Sequence, residues 1–226
     1  MIDFSPLDNP VLGALTGPHA SLARVNGLAL RYPSDISPFA ALRAPTREAF
    51  DDLRALLGPN DGVALVTTEP HAIPNGWQVL RDRPIEQMVC TEVPPYIDVQ
   101  PFMLGDADVP DMLALTALTE PGPFAARTIR MGKYIGLRNA DGHLMAMAGQ
   151  RMALAGFTEI SAVCCDPEFR GKSYARDLVV TLTREVFAAG RIPFLHVKNE
   201  NGAKVIYEKI GFKTRREMQF TVIAGA

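Results

Sequence analysis

ISAVCCDPEFRGKSYARDLV, residues 160–179, is the stretch on which the reading of this chain turns. Its apolar and small residues form a strand that delivers the chain to Asp166 and Pro167. A short loop then runs through Arg170, Gly171, Lys172 and Ser173. After it, Ala175, Leu178, Val179, Leu182 and Val186 recur three and four residues apart. That is the apolar stripe of an amphipathic helix, which reaches Ala189 and closes at Gly190. A helix start leaves backbone N–H groups unpaired and carries the positive end of the helix dipole. Glycine lets the backbone approach a ligand closely, and Arg170 and Lys172 add fixed positive charge. The unit reads as an anion cradle suited to a pyrophosphate; the plainer alternative is an ordinary strand-to-helix turn with solvated basic side chains. It is not a GxxxxGK[ST] loop, because the earlier glycine of that motif is absent.

A second stretch, VKNENGAKVIYEKIGF, occupies residues 197–212. Ala203, Ile206, Tyr207 and Ile210 fall on one helical stripe, so Tyr207 faces inward, toward a sheet or a ligand. A core tyrosine with its hydroxyl satisfied nearby is the plain alternative.

Together the two stretches resemble the GNAT superfamily of N-acetyltransferases. The phosphate loop of that superfamily reads Q/R-x-x-G-x-G/A, and Arg170, Gly171, Lys172, Ser173, Tyr174 and Ala175 stand on it. Its later signature reads N-x-x-A-x-x-x-Y-x-x-x-G-F, and Ala203, Tyr207, Gly211 and Phe212 match in spacing. The resemblance covers roughly residues 97–226. The phrases at 156–175 and 194–212 resemble especially the subgroup related to glycine N-acyltransferases, in which the N-terminal half is often a degenerate copy of the same fold. Two positions depart from the pattern. Ser173 stands where the family usually has glycine; its Cβ could crowd the phosphates, or its hydroxyl could cap the helix, and the second reading suits a small residue at a helix start. Glu200 occupies the asparagine spacing, flanked by Asn199 and Asn201, either of which could reach the cofactor through a small loop adjustment.

The resemblance implies an α/β (α+β) fold: a mixed, mostly antiparallel sheet, splayed at its central strands and flanked by helices. It implies acetyl-CoA as acyl-donor cosubstrate, a primary amine as acceptor, and no metal. The pantetheine would pair with the backbone of Val163, Cys164 and Cys165, and the pyrophosphate would sit on the N–H groups of residues 171–175. Direct transfer needs an acid for the leaving thiolate and a base for the amine. Tyr207 is the candidate acid. Glu159 is the candidate base, directly or through water, since a carboxylate among Phe157, Ile160, Ala162 and Val163 tends to have a raised pKa; a strand-end glutamate facing solvent is its plain alternative. His196 is the competing base, and a satisfied core histidine is the reading preferred for it. An acyl-enzyme on Cys164 or Cys165 is disfavoured, since no histidine lies nearby in sequence to activate a thiol. Glu120, Pro121 and Phe124 are candidate walls for the acceptor. The rival reading is a catalytically degenerate module that binds acyl-CoA as a sensor or as structure. A dinucleotide-binding domain is excluded because no GxGxxG unit is present.

The rest of the chain agrees with a globular α/β protein. Of its 226 residues, 47% are apolar and 21% charged, with a net charge of −2, so neither wholesale disorder nor a nucleic-acid partner is expected. Three cysteines are too few for a disulfide scaffold, which points to the reducing cytoplasm. Four scattered histidines lack metal-ligand spacing. The opening MIDFSPLDNP has no basic or apolar leader region, and no apolar run is long enough to span a membrane. Whether the chain is a monomer or homodimer is not legible.

TEVPPYIDVQP, residues 91–101, cannot continue a helix or a central strand, and sets an expected boundary near Pro95. Residues 1–95 are expected to form a smaller α/β domain, and 96–226 the GNAT domain. In the first part, extended chain is expected at 22–32, 62–68 and 77–91, with a helix over 46–57 that opens on Thr46. In the second, strands are expected at 99–104, 134–138, 143–152, 157–165, 194–197 and 213–223. Helices are expected at 108–118, after the cradle loop, and at 202–210.

Overall fold

The computed structural model describes residues 2–59, 61–198 and 202–225. The central strands form because their side chains alternate between two apolar layers. β7 (Tyr134–Arg138), β8 (Leu144–Leu154) and β9 (Phe157–Cys165) follow one another in antiparallel pairing. Tyr134 and Met147 face one layer, while Ile135, Ala146 and Ala148 face the other, as a two-residue period requires.

Five further strands complete the sheet: β4 (Gly62–Thr67), β5 (Trp77–Cys90), β6 (Phe102–Leu104), β10 (Ile192–Val197) and β11 (Phe212–Gly225). The order across this eight-stranded sheet is β4-β11-β5-β10-β9-β8-β7-β6. Every pairing is antiparallel except β9 with β10. The sheet is mixed, mostly antiparallel and flanked by helices, as expected. The connector around Pro95 lies between β5 and β6, and strands from both sides of it share the sheet: β5 is hydrogen-bonded between β11 and β10.

One face is covered by α4 (Tyr174–Ala188) and α5 (Ala203–Ile210), which pack Leu178, Leu182, Tyr207 and Ile210 against Met88, Ile160, Leu195 and Phe212. The opposite face has two covers. α3 (Val109–Thr119) lays Met112 and Leu115 on Tyr134, Met147 and Cys164. The start of the chain covers the rest, through α1 (Pro10–Leu15) and a small sheet of β1 (Arg24–Asn26), β2 (Ala29–Arg31) and β3 (Ala40–Leu42). This layer brings Leu7, Leu15, Tyr32 and Phe39 onto Val89, Phe157, Phe194 and Met218. α2 (Arg47–Ala55) packs Phe50 and Leu53 against Leu65 and Ile223. Thr46 caps it by accepting the Ala49 N–H at 3.2 Å.

Two features open the centre of the sheet. The β9–β10 pairing stops at Phe194 and Glu159; beyond it β9 continues along β8 and β10 along β5, so the two strands part. β9 also carries a bulge, with a register shift opposite Met147–Gly149 and Ala162 at φ +52°. The bulge resets the alternation. Ile160 faces the α4–α5 layer, but beyond it Val163 and Cys165 point that way, while Ala162 and Cys164 face α3.

Candidate active site

Where β9 and β10 part, the start of α4, the inner side of α5 and the end of α3 enclose a cleft of about 540 Å³. Val163, Cys164 and Cys165 line it from β9, residues 169–176 from the start of α4 and the loop before it, and Thr119, Glu120 and Pro121 from the end of α3. Tyr207 lines it from α5, together with Ala203, Ile206 and Lys209. The structure thus brings together Val163, Cys164, Cys165, the loop from Arg170 through Gly171, Lys172, Ser173 and Tyr174 to Ala175, Tyr207 and Glu120. It does not bring in Glu159 or Phe124. Asn199 and Asn201 lie outside the described residues.

The cradle is shaped by left-handed backbone. Gly171 has φ +79° and Ser173 φ +63°, and the chain then enters α4 directly. Added bulk at Gly171 would meet open space, so glycine is needed there for its conformation. Ser173 sits in the same region without that freedom. Its hydroxyl makes no capping bond to α4, which corrects the capping reading; what remains is the strain of a Cβ in left-handed backbone. Asp166 braces the loop by accepting the Glu168 N–H at 2.9 Å and pairing with His143 Nε2 at 2.8 Å. Lys172 lies 5.8 Å from the Phe169 ring centre, and Arg170 Nε donates to the Cys165 carbonyl at 3.4 Å.

Tyr207 is buried and packs edge-on against Phe212 at 6.1 Å. Burial, reinforced by the neighbouring Cys164, pushes its phenol up to about 12, so it holds its proton at ordinary pH. Burial also pushes the Cys164 thiol up to about 12 and raises Cys165. Both are protonated thiols at neutral pH, poor nucleophiles that leave their backbone as the part useful to a ligand.

Glu159 corrects the expectation placed on it. It is fully buried on the opposite face, under the N-terminal layer, and does not line the cleft. Arg151 donates to it twice, Nε to Oε2 at 2.8 Å and Nη2 to Oε1 at 2.7 Å, and His196 Nδ1 lies 2.9 Å from Oε1. Burial alone would raise its pKa, but the Arg151 charge and these hydrogen bonds hold it at about 2. The apolar neighbours in sequence point upward; the arginine across the β8–β9 hairpin reverses the sign.

His196 is satisfied on both sides. Gln87 Nε2 donates to the Leu7 carbonyl at 2.9 Å, and Gln87 Oε1 accepts from Arg215 at 2.8 Å. That orientation turns the amide N–H toward His196 Nε2, 3.2 Å away. In that arrangement Nε2 accepts and Nδ1–H donates to Glu159, so both ring nitrogens are engaged within the fold. Phe124 also belongs to a core, edge-on to Tyr134 at 5.7 Å.

Sequence reasoning missed Thr119, Arg176, Ile206 and Lys209 as lining residues. Ile206 and Lys209 bracket Tyr207 on α5, and Arg176 follows the cradle, so helical spacing from residues already singled out could have found them. Among the described residues, no cluster of His, Cys, Asp or Glu is placed to hold a metal ion, and no helix is long and apolar enough to cross a membrane.

The profile of the FR47-like protein family matches residues 134–221. A crystal structure from Novosphingobium aromaticivorans DSM 12444, named for the GNAT family of acetyltransferases, is 40% identical, with a TM-score of 0.90 over 98% of this chain and 99% of that one. A GCN5-related N-acetyltransferase from Kribbella flavida shares the fold at 16% identity, with a TM-score of 0.66 over 95% of this chain and 93% of that one. A GCN5-related N-acetyltransferase-like protein from Streptococcus suis 89/1591 does so at 13% identity and a TM-score of 0.58, over 94% and 93%. No curated protein matches the chain.

Proposed function

The chain belongs to the GNAT family of acetyltransferases, and from that premise we propose that it moves an acetyl group from acetyl-CoA directly to a primary amine. The observation that carries this reading is the union, in one cleft at the parting of β9 and β10, of the α4 cradle and Tyr207. The cleft suits such a cosubstrate. The start of α4 offers helix-start N–H groups beside Arg170 and Lys172, and β9 offers a strand edge that β10 no longer pairs.

In this reading residues 171–175 hold the pyrophosphate, with Asn199 or Asn201, which precede α5 in sequence, as further contacts. The backbone of Val163, Cys164 and Cys165 binds the pantetheine, and an N–H there receives the developing oxyanion. Tyr207 gives its proton to the leaving sulfur as the C–S bond breaks. Its high pKa keeps it protonated until then. The lining runs from residue 119 to 209, so residues 1–95 act as support rather than as a cofactor site. The likeness to the glycine N-acyltransferase subgroup would, if carried over to substrate, name glycine as acceptor. The free cysteines fit a reducing cytoplasm.

Ser173, strained and without a capping bond, is the observation that favours the second reading, a module that binds acyl-CoA without turning it over. Two measurements separate the readings. Acetyl-CoA should raise the melting temperature while NADH does not, and Gly171→Val should weaken that response; an unchanged response in the variant sinks the cradle assignment. Tyr207→Phe should then lower kcat by about 10²–10⁴ with the acetyl-CoA melting shift intact. A protein that binds acetyl-CoA but transfers nothing to any amine is the module.

A further inference from the structure

The cleft carries charge of both signs. Arg170 and Lys172 stand beside the start of α4, so side chains and helix dipole are both positive there, while Arg176 is paired with Asp177 at 2.7 Å. α3 stops at Glu120, the sole carboxylate among the described lining residues. Among the described residues, no hydrogen bond or ion pair occupies the Glu120 side chain, which is exposed. Its backbone is left-handed, φ +46° and ψ +51°, and its N–H closes α3 on the Thr116 carbonyl at 2.9 Å. The last carbonyls of α3 therefore add the negative end of a helix dipole beside the carboxylate. Glycine or asparagine suits such a position better; here it holds a free acid that shares the cleft with Tyr207.

On the acyl-transfer reading above, we propose that Glu120 and the end of α3 form the acceptor subsite, which takes a cationic primary amine with no carboxylate beside the amino group. The ammonium docks on the Glu120 carboxylate and passes it one proton, directly or through water, which then leaves to solvent. The freed nitrogen lone pair forms the N–C bond to the thioester carbonyl, and the C–S bond breaks. The sulfur takes a proton from Tyr207, and the proton the nitrogen sheds on becoming an amide restores the phenol. Net, ammonium and acetyl thioester give amide, thiol and one proton. The cations beside the start of α4 repel another cation, so the ammonium settles at Glu120. A carboxylate one carbon from the amine would lie against Glu120 and be repelled. Amino amides, monoamines and peptide N-termini thus fit better than free α-amino acids, glycine included.

Glycinamide and glycine are the matched probes. Initial rates are measured at saturating acetyl-CoA and compared per free amine. The wild-type protein should prefer glycinamide at least tenfold in kcat/KM. Glu120→Gln should lower kcat/KM for glycinamide at least tenfold, mainly through KM, and leave the KM and melting shift for acetyl-CoA within twofold. A preference for glycine, or a smaller loss in the variant, overturns the subsite. If neither probe is turned over, calorimetry of glycinamide into CoA-loaded protein decides: binding that Glu120→Gln weakens supports the subsite, and absent or unchanged binding overturns it. Failure of acetyl-CoA itself to bind is a separate result, and it overturns the acyl-transfer reading beneath.

Discussion

The cleft and the layer buried beneath residues 4–42 carry the same kinds of charged side chain in opposite circumstances. In the buried layer one chain of partners runs through them. Arg151 holds Glu159, Glu159 holds His196, His196 meets Gln87, and Gln87 meets Arg215, which pairs with Asp8. His19 Nδ1 meets the Tyr32 hydroxyl at 2.8 Å. In the cleft, Arg170, Lys172, Lys209 and Glu120 have no ion pair among the described residues, and three of the lining positions or their neighbours, Glu120, Ala162 and Ser173, hold left-handed backbone without being glycine. A charge serving the fold must find its partner within the fold, because an unpaired buried charge costs several kcal/mol. A charge serving a ligand must be left open. Glu159 and Glu120 differ in this way: the buried carboxylate has its partners in the fold, and the exposed one has none among the described residues.

The largest effect should come from cutting the chain between these regions. A chain starting at Tyr96 loses β4 and β5, and β5 lies between β11 and β10. It should show no cooperative thermal transition by circular dichroism; a folded, CoA-binding fragment would show that the buried layer is dispensable. Next comes Arg151→Met, which leaves Glu159 buried without its cation. It should cost about 3–5 kcal/mol in denaturant unfolding. The milder Glu159→Gln should lower the melting temperature while kcat of the folded protein stays within a few-fold; a hundredfold loss would return Glu159 to catalysis.

Acid should separate the regions as well. Burial lowers the pKa of His19 below 6.5; the unfolded chain binds that proton first, so stability should fall as pH drops through 6.5. Glu159 has its pKa lowered from 4.5 to about 2, so its contribution is complete above 4.5 and is lost as pH falls toward 2. Melting temperature against pH, compared with Glu159→Gln, checks both. Activity should behave differently. With Tyr207 at about 12, no basic limb from its ionisation should appear below that range, and the acidic limb should follow the pKa of the amine supplied. The smallest effect is expected from Ser173→Gly, which relieves left-handed strain and should stabilise by about 1 kcal/mol, with CoA affinity changing at most about tenfold.

Much of the cleft is legible in the sequence. The helix stripes of α4 and α5, the glycine of the cradle and the inward side of Tyr207 are all local, set by periods of three and four residues and by one residue's backbone freedom. α1 and β3 are not, since six and three residues are too short to show a period. β5 reads as extended chain, but nothing in it says that it will lie between β11 and β10. The proline pair at Pro94 and Pro95 marks a true connector, yet a break in secondary structure is not a break in the sheet.

The sequence by itself determined the fold class, the family and the strand–loop–helix unit at 160–179, because strand, turn and helix start are written in consecutive residues. The tertiary structure alone decided what the titratable groups do. The state of Glu159 depends on Arg151, 8 residues away across a hairpin, and that of His196 on Gln87, 109 residues away, held in turn by Arg215 at a separation of 128. The openness of Glu120 depends on every element that packs around the cleft and fails to reach it. Electrostatic free energy falls with distance in space and with the solvent between charges, and neither quantity is a property of the order of residues along the chain.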